Sequence, residues 1–110
     1  QKINVKVAIL NNGFLGMVRQ WQELFYSRRY AFTVLAGDDL TCCPDFVKLA
    51  ESYGARGIRV TKKNEVKKAL RSALKTEGVV VMDFLVERHE NVFPMVPAGE
   101  SINNMLHGLA

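Results

Sequence analysis

The stretch Val5-Lys6-Val7-Ala8-Ile9-Leu10-Asn11-Asn12-Gly13 decides the fold class of this chain. Its first six residues are rich in β-branched side chains and almost continuously apolar, which is typical of a strand buried on both faces of a parallel sheet. Asn11-Asn12-Gly13 is a turn signal that ends the strand. The sequence therefore predicts a buried strand followed at once by a polar turn.

A helical pattern follows the turn, from about Phe14 to Arg28. Its polar residues include Arg19, Gln20 and Glu23. Apolar residues recur at spacings of three and four, which predicts an amphipathic helix. Packing of this stripe against the core is one interpretation. The stripe consists of Phe14, Met17, Val18, Trp21, Leu24 and Phe25.

The remainder of the chain alternates between helical and extended patterns. Pro44 suits the first turn of a second helix, which Gly54 ends. Thr61 is the predicted N-cap of a third helix, which Gly78 ends. That helix carries a stripe predicted to be buried: Val66, Ala69, Leu70, Ala73 and Leu74. Two more strands are predicted at Gly57 to Val60 and Val79 to Val86.

The order strand, helix, loop, helix, strand, helix, strand predicts an α/β fold. A mostly parallel sheet flanked by helices is the arrangement that such alternation favours. The loop contains Gly37-Asp38-Asp39. Residues 88–110 form a predicted C-terminal tail, extended around its prolines, with a short helical turn near Ile102 to Leu106.

Composition excludes several classes of protein. The chain has 110 residues, 48% hydrophobic and 24% charged, which is ordinary for one globular domain. A net charge of +4 without a basic-aromatic groove argues against nucleic-acid binding, and no apolar run is long enough to span a membrane. Cys42 and Cys43 are adjacent, so they predict neither an ordinary disulfide nor a zinc site, and a reducing compartment is the simplest interpretation.

The polar turn is the strongest candidate site. Ligands of open parallel sheets bind beyond the carboxyl ends of the strands, and a helix N-terminus offers free N–H groups and partial positive charge to a phosphate. Gly13 lets the backbone approach a ligand closely. The side-chain oxygen of Asn12 is a hard ligand suited to Mg²⁺. These residues predict a diphosphate–Mg²⁺ site, although Asn-Asn-Gly alone is also an ordinary turn.

Three longer segments resemble one enzyme family. They are VKVAILNNGFLGMVRQWQELFYSRRY at Val5 to Tyr30, PDFVKLAESYGARGIRV at Pro44 to Val60, and VFPMVPAGESINNML at Val92 to Leu106. In this order they closely resemble the large catalytic subunit of acetohydroxyacid synthase (acetolactate synthase). The resemblance covers nearly the whole chain and fits least well from Val34 to Cys43.

The resemblance implies a thiamine-diphosphate fold. Residues 1–110 would be the C-terminal portion of the domain that holds the cofactor diphosphate through Mg²⁺. The resemblance places Mg²⁺ on the Asn12 side chain and the Phe14 backbone carbonyl. A third ligand in the family, the Asp of a Gly-Asp-Gly motif, is not among these residues. The implied cofactor-binding residues are Asn12, Gly13, Phe14, Leu15, Gly16 and Met17.

Resemblance also implies a substrate channel and a closing segment. Met17, Val18 and Trp21 match positions that line the channel, which is also the herbicide pocket. Pro94 to Gly99 resembles the segment that folds over the cofactor, although a disordered terminus is the alternative. No catalytic residue is expected among these 110, because the family's activating Glu lies in another domain of a partner subunit.

The implied reaction condenses pyruvate, after decarboxylation, with pyruvate or 2-oxobutyrate on the route to valine, leucine and isoleucine. The parent would be a homodimer or tetramer of catalytic subunits with a regulatory small subunit and an FAD-binding domain that this segment lacks. Cytoplasmic location in bacteria, or plastid or mitochondrial location in eukaryotes, is implied. Since the chain lacks an initiator Met and enters a strand almost at once, we expect a fragment of a longer protein. We expect this fragment alone to be inactive, because the family's activating Glu and FAD-binding domain lie outside it.

Two alternatives remain open from the residues alone. One is another thiamine-diphosphate enzyme of the pyruvate oxidase or decarboxylase type, which shares the Mg²⁺ site but usually lacks the Gly-Met-Val-Arg-Gln-Trp-Gln run. The other is a free-standing α/β binding module. The product formed by the full-length parent would distinguish the synthase from an oxidase or decarboxylase. The sequence upstream of Gln1 would distinguish an enzyme fragment from a free-standing module.

Overall fold

The computed structural model of the chain describes residues 3–35 and 44–108. The loop Gly37-Asp38-Asp39 and the pair Cys42-Cys43 lie outside this part. The described elements follow the predicted order: β1 Lys6–Asn11, α1 Gly16–Phe25, α2 Phe46–Ser52, β2 Arg56–Val60, a 3-10 turn Lys63–Glu65, α3 Val66–Lys75, β3 Val80–Leu85 and a second 3-10 turn Ile102–Asn104.

The described strands form a parallel sheet in the order β1-β3-β2. Ile9 of β1 and Arg59 of β2 both lie level with Asp83 of the central strand β3. Because all three strands run in the same direction, their carboxyl ends meet at one edge of the sheet. The predicted α/β class, with a parallel sheet flanked by helices, is therefore confirmed.

The prediction that the first strand is buried on both faces is wrong for the described structure. β1 pairs with β3 along one side, and Leu10 on it is 72% exposed. The described contacts of α2 and α3 with the sheet are made to β2 and β3. Since no described helix covers β1, its apolar run lies largely open, and the most buried of the described strands is β3.

The core lies between α3 and one face of the sheet. Ala69 and Ala73 of α3 face Val80, Met82 and Phe84 of β3 across this layer. Two small side chains let the helix backbone approach the strands closely. They also fix the rotation of the helix about its axis.

That rotation contradicts part of the predicted stripe. Leu70 and Leu74 are exposed rather than buried, Leu74 by 73%. Thr61 is also not the N-cap of α3. The carboxylate of Glu65 instead accepts the backbone N–H groups of Thr61 and Lys62 at 3.3 and 3.2 Å, which folds a 3-10 turn ahead of the helix.

α2 packs on the opposite face of the sheet. Asp45 caps it by accepting the N–H groups of Val47 and Lys48, both at 3.2 Å, so Pro44 precedes the cap instead of lying in the first turn. Gly54, with φ of 73°, follows the C-cap as predicted. A Cβ on Gly57 of β2 would lie 2.7 Å from Val47 Cγ1 and 2.8 Å from Val47 Cα.

Replacing Gly57 by alanine should therefore destabilise the chain by about 1–3 kcal/mol, because backbone of α2 must move to admit the methyl group. The urea midpoint followed by circular dichroism measures the change. Gly108→Ala is the control, since no atom lies within 4 Å of the Cβ it would add. Equal urea midpoints for both variants would show that α2 can move to admit the methyl group without loss of stability.

The C-terminal tail bonds to α1 through Val92 and also pairs with itself. Met95 and Leu106 exchange two backbone hydrogen bonds of 2.9 and 2.8 Å, which fold the tail back on itself. The helical turn predicted near Ile102 to Leu106 is confirmed as the shorter 3-10 turn Ile102–Asn104. Within residues 3–35 and 44–108, no helix has both the length and the hydropathy to cross a membrane.

Candidate functional site

The loop between β1 and α1 is built from two consecutive side-chain turns. Asn11 Oδ1 accepts the Gly13 N–H at 3.0 Å, and Asn12 Oδ1 accepts the Phe14 N–H at 3.1 Å. Asn and Asp side chains commonly replace the backbone in such turns. Gly13 has φ of 75°, which glycine adopts without strain. The loop thus follows directly from the Asn11-Asn12-Gly13 motif.

The predicted helix boundaries are wrong at both ends. α1 begins at Gly16, two residues after the predicted Phe14, because Gly13 and Leu15 pair with another segment. The Leu15 N–H donates to Thr33 O at 2.8 Å, and the Leu35 N–H donates to Gly13 O at 2.9 Å. The helix ends at Phe25, and Arg28 has a left-handed φ of 59°.

The N-terminus of α1 is uncapped in the described structure. Leu15 occupies the cap position and makes no side-chain hydrogen bond there. The first helical hydrogen bond of α1 runs from the Arg19 N–H to Leu15 O. The N–H groups of Gly16, Met17 and Val18 therefore have no acceptor among the described residues. Such unsatisfied N–H groups and the helix dipole favour an anion.

Asn12 lies just beyond the carboxyl end of β1 and is partly exposed. Its side chain lies over the start of α1, since a Cβ on Gly16 would sit 3.3 Å from Asn12 Nδ2. An amide oxygen has two lone pairs, so Oδ1 can hold the Phe14 N–H and a cation together. The Phe14 carbonyl accepts no backbone hydrogen bond within the described residues.

The described residues contain no group of three or more His, Cys, Asp or Glu side chains suited to a metal. The oxygens that the loop itself offers to a cation are the neutral ones of the Asn12 side chain and the Phe14 carbonyl. Those are hard donors, which fit Mg²⁺ better than Zn²⁺ or copper. The donor set of the loop thus fits the Mg²⁺–diphosphate site predicted from the sequence.

A buried polar network holds Asn11, the first residue of the Asn11-Asn12-Gly13 turn, in place. This network was not predicted from the sequence. Asp83 is 0% exposed and accepts from Asn11 Nδ2 at 3.1 Å and from Arg59 Nε at 3.2 Å. Arg59 Nη2 also donates to Asp45, the cap of α2, at 2.8 Å. One signal was available, because Asp83 is the only charged residue in the apolar run Val79 to Val86.

Two guanidinium groups lie over the Phe14 ring. Arg19 Cζ is 5.1 Å and Arg88 Cζ 4.7 Å from its centre, within cation–π range. The exposed His89 is also close to Phe14, with ring centres 5.8 Å apart. The tail therefore reaches the loop, where the side chains of Arg88 and His89 lie beside the Phe14 ring.

The interpretation of the α1 stripe as a core face is wrong for Met17, Val18 and Phe25, which are exposed, whereas Phe14, Trp21 and Leu24 are partly buried. Met17 is 53% and Val18 50% exposed, whereas Arg19 and Gln20 are buried. The exposed stripe instead borders a groove of about 520 Å³ lined by Met17, Val18, Trp21, Gln22, Tyr26 and Arg29. All three residues predicted to line a channel thus share one apolar groove, beside the uncapped end of α1.

Comparison with known families decides what kind of domain carries this loop. Residues 1–84 match the family described as thiamine pyrophosphate enzyme, C-terminal TPP binding domain. The chain belongs to this family. Thiamine pyrophosphate is the thiamine diphosphate implied by the sequence, and an uncapped helix beside hard oxygen donors is consistent with a TPP-binding domain.

Individual relatives agree with this assignment. The chain is 46% identical to the acetolactate synthase large subunit of Corynebacterium glutamicum and 40% identical to acetolactate synthase 1, chloroplastic, of Zea mays, in each case over 96% of the chain and 17% of the relative. A solved thiamine diphosphate-dependent 4-hydroxybenzoylformate decarboxylase from Rhodococcus jostii RHA1 matches with a TM-score of 0.67 at 30% identity, over 78% of this chain and 15% of that one. The chain therefore spans about a sixth of the length of these proteins.

Glu23 joins α1 of the TPP-binding domain to its tail. Its Oε2 accepts Asn91 Nδ2 at 2.8 Å and Arg19 Nη1 at 3.2 Å. The hydrogen bond from Asn91, together with the charges of Arg19 and Arg28, holds the pKa of Glu23 below its ordinary 4.5, although burial opposes the shift. A lowered pKa means that the folded state favours the carboxylate.

The contribution of ionised Glu23 to the free energy of unfolding should therefore be fully present above pH 4.5. It should be lost as the pH falls through the lowered pKa of Glu23. We expect the thermal midpoint of the wild-type chain to fall more between about pH 6 and pH 3 than that of Glu23→Gln, which cannot titrate. Glu87→Gln, an exposed carboxylate, is the matched control. Identical pH profiles for wild type and Glu23→Gln would contradict the assignment.

Proposed function

We propose that the chain is part of an acetolactate synthase large subunit. Residues 1–110 would be the C-terminal portion of its thiamine-diphosphate-binding domain, with residues 88–110 as the tail. One observation carries the proposal: the Asn-Asn-Gly loop at the carboxyl end of β1 leads into the uncapped start of α1. The acetolactate synthases of 40 and 46% identity support the choice of reaction.

In this proposal the loop binds the cofactor diphosphate through Mg²⁺. Asn12 Oδ1 and the Phe14 carbonyl are the metal ligands from this chain, and the first N–H groups of α1 donate to phosphate oxygens. Gly13 and Gly16 keep the backbone open to close approach, and Leu15 and Met17 complete the contact. These metal ligands are supported by two observations. Asn12 Oδ1 has a second lone pair beside the one that accepts the Phe14 N–H, and the Phe14 carbonyl accepts no backbone hydrogen bond among the described residues.

The groove on α1 would admit the second substrate. Met17, Val18 and Trp21 provide an apolar wall, which suits the short alkyl group of pyruvate or 2-oxobutyrate. Bound thiamine diphosphate supplies the electron sink for decarboxylating the first pyruvate. This chain's own residues anchor the diphosphate, exclude water along the apolar wall and orient the incoming 2-oxoacid.

The remaining parts of the enzyme are proposed by the same reasoning. The parent would be a homodimer or tetramer, with a regulatory small subunit and FAD bound outside this segment. It would be cytoplasmic in a bacterium and plastid or mitochondrial in a eukaryote, in the biosynthesis of valine and isoleucine. The 110-residue chain alone would form no acetolactate.

Calorimetry and product analysis of the complete native polypeptide test the proposal. We expect thiamine diphosphate to bind only with Mg²⁺ present, and pyruvate to yield acetolactate. Binding that is indifferent to Mg²⁺ would remove the metal role. Absence of thiamine-diphosphate binding would contradict the proposed function altogether.

A decarboxylase is the second candidate, because the fold also matches the 4-hydroxybenzoylformate decarboxylase. Both reactions begin with loss of carbon dioxide from a 2-oxoacid, and they differ in the fate of the remaining fragment. Release of aldehyde without acetolactate would favour the decarboxylase. The Gly-Met-Val-Arg-Gln-Trp-Gln run at Gly16 to Gln22 favours the synthase.

A further inference from the structure

α1 buries its polar face, which is the reverse of an ordinary amphipathic helix. Gln20 is 2% exposed and Arg19 is buried with it, whereas Val18 and Phe25 on the other side are half exposed. Burying an amide costs free energy unless both its donor and its acceptor are satisfied. The buried partners of Gln20 therefore determine whether this orientation of α1 is stable.

The C-terminal tail supplies those partners. Gln20 Nε2 donates to Val92 O at 2.9 Å, and the Val92 N–H donates to Gln20 Oε1 at 2.9 Å. This reciprocal pair imitates two residues hydrogen-bonded between strands. Met95 Sδ lies 3.1 Å from the same Nε2, and Asn91 Nδ2 reaches Glu23. Residues 91–95 thus run along the polar face of α1.

We propose that Gln20 is a positioning residue that clamps residues 91–95 to α1 and so sets which face of α1 forms the groove. Successive helical residues are about 100° apart, so Val18 and Trp21 point away from the side on which Arg19, Gln20 and Glu23 are centred. While the tail occupies that side, the apolar stripe is left for the groove. Only the consequence for the substrate rests on the proposed function.

Hydrogen exchange of the Val92 amide in the complete native polypeptide tests the clamp directly. Gln20→Leu removes the acceptor, so exchange at Val92 should speed up about 10-fold or more, the size expected for one buried hydrogen bond. Gln20→Glu keeps an acceptor oxygen but loses the donor to Val92 O. It should give an intermediate rate.

Two controls make the outcome specific. Gln22→Leu changes a glutamine on the same helix that bonds Ala31 and Thr33 instead, so it should leave the Val92 rate unchanged. Amides of Met82 and Phe84 in β3 report the global fold and should not change in any variant. An unaltered Val92 rate in Gln20→Leu would overturn the clamp, as would equal acceleration at β3 in both Gln20 variants.

The link to the groove has its own readout. If the groove receives the second 2-oxoacid, Gln20→Glu should raise the KM for that substrate while binding of thiamine diphosphate is unchanged. If exchange at the Val92 amide speeds up while the KM is unchanged, Gln20 still holds the tail against α1, but its proposed effect on the groove is wrong. Failure of thiamine-diphosphate binding in the wild type would instead concern the proposed function, since the exchange measurement needs no cofactor.

Discussion

Replacing Asn12 by leucine is expected to weaken Mg²⁺-dependent binding of thiamine diphosphate by at least about 100-fold, which is the upper range for losing even an indirect metal partner. The substitution removes the proposed oxygen ligand and also the acceptor of the Phe14 N–H. The loop would lose the metal and the turn that presents the Phe14 carbonyl. Calorimetric titration of the complete native polypeptide at fixed Mg²⁺ measures the effect.

Asn12→Asp is the matched variant, because it keeps both the oxygen ligand and the turn. It should retain most of the binding, as aspartate is also a hard ligand. Asn103→Leu, at an exposed position in the second 3-10 turn, controls for the added apolar side chain. Full binding by Asn12→Leu would remove Asn12 from the site.

Replacing Asp83 by alanine is expected to cost about 3–5 kcal/mol of stability, the range for removing one partner of a buried charged pair. The carboxylate is fully buried and accepts from Asn11 Nδ2 and Arg59 Nε. Arg59 is partly exposed and still bonds Asp45, which favours the lower end of that range. The urea midpoint of the chain measures the loss.

The same substitution should loosen the loop, because Asp83 orients the amide whose oxygen accepts the Gly13 N–H. Exchange at the Gly13 amide should therefore rise more than exchange at Gly54, which lies beyond α2. Glu87→Ala removes an exposed carboxylate just after the end of β3 and should change stability by less than about 0.5 kcal/mol. Similar losses for Asp83→Ala and Glu87→Ala would show that the network carries no net stability.

Local sequence signals predicted the elements well. The apolar runs predicted the strands, and the stripe around Ala69 and Ala73 predicted α3. Asn11-Asn12-Gly13 predicted the turn because side-chain oxygens that accept nearby N–H groups act within three residues. The predicted site residues lie together for the same reason, since most of them are consecutive in the chain.

Burial could not be predicted in the same way. A periodic stripe shows that a helix has two faces, but the neighbours decide which face is covered. In α1 the tail covers the polar side through Gln20 and Glu23. In α3 the two alanines face the sheet and the leucines turn outward.

The sequence by itself determined the α/β class, the order of the elements and the turn at Asn12, because each depends on residues close together in the chain. Only the tertiary structure decided the strand order β1-β3-β2, the inverted burial of α1 and the Asn11–Asp83–Arg59 network. These features join residues 24 to 72 positions apart. Such contacts form when packing brings distant segments together, and no local periodicity specifies which side chains will meet.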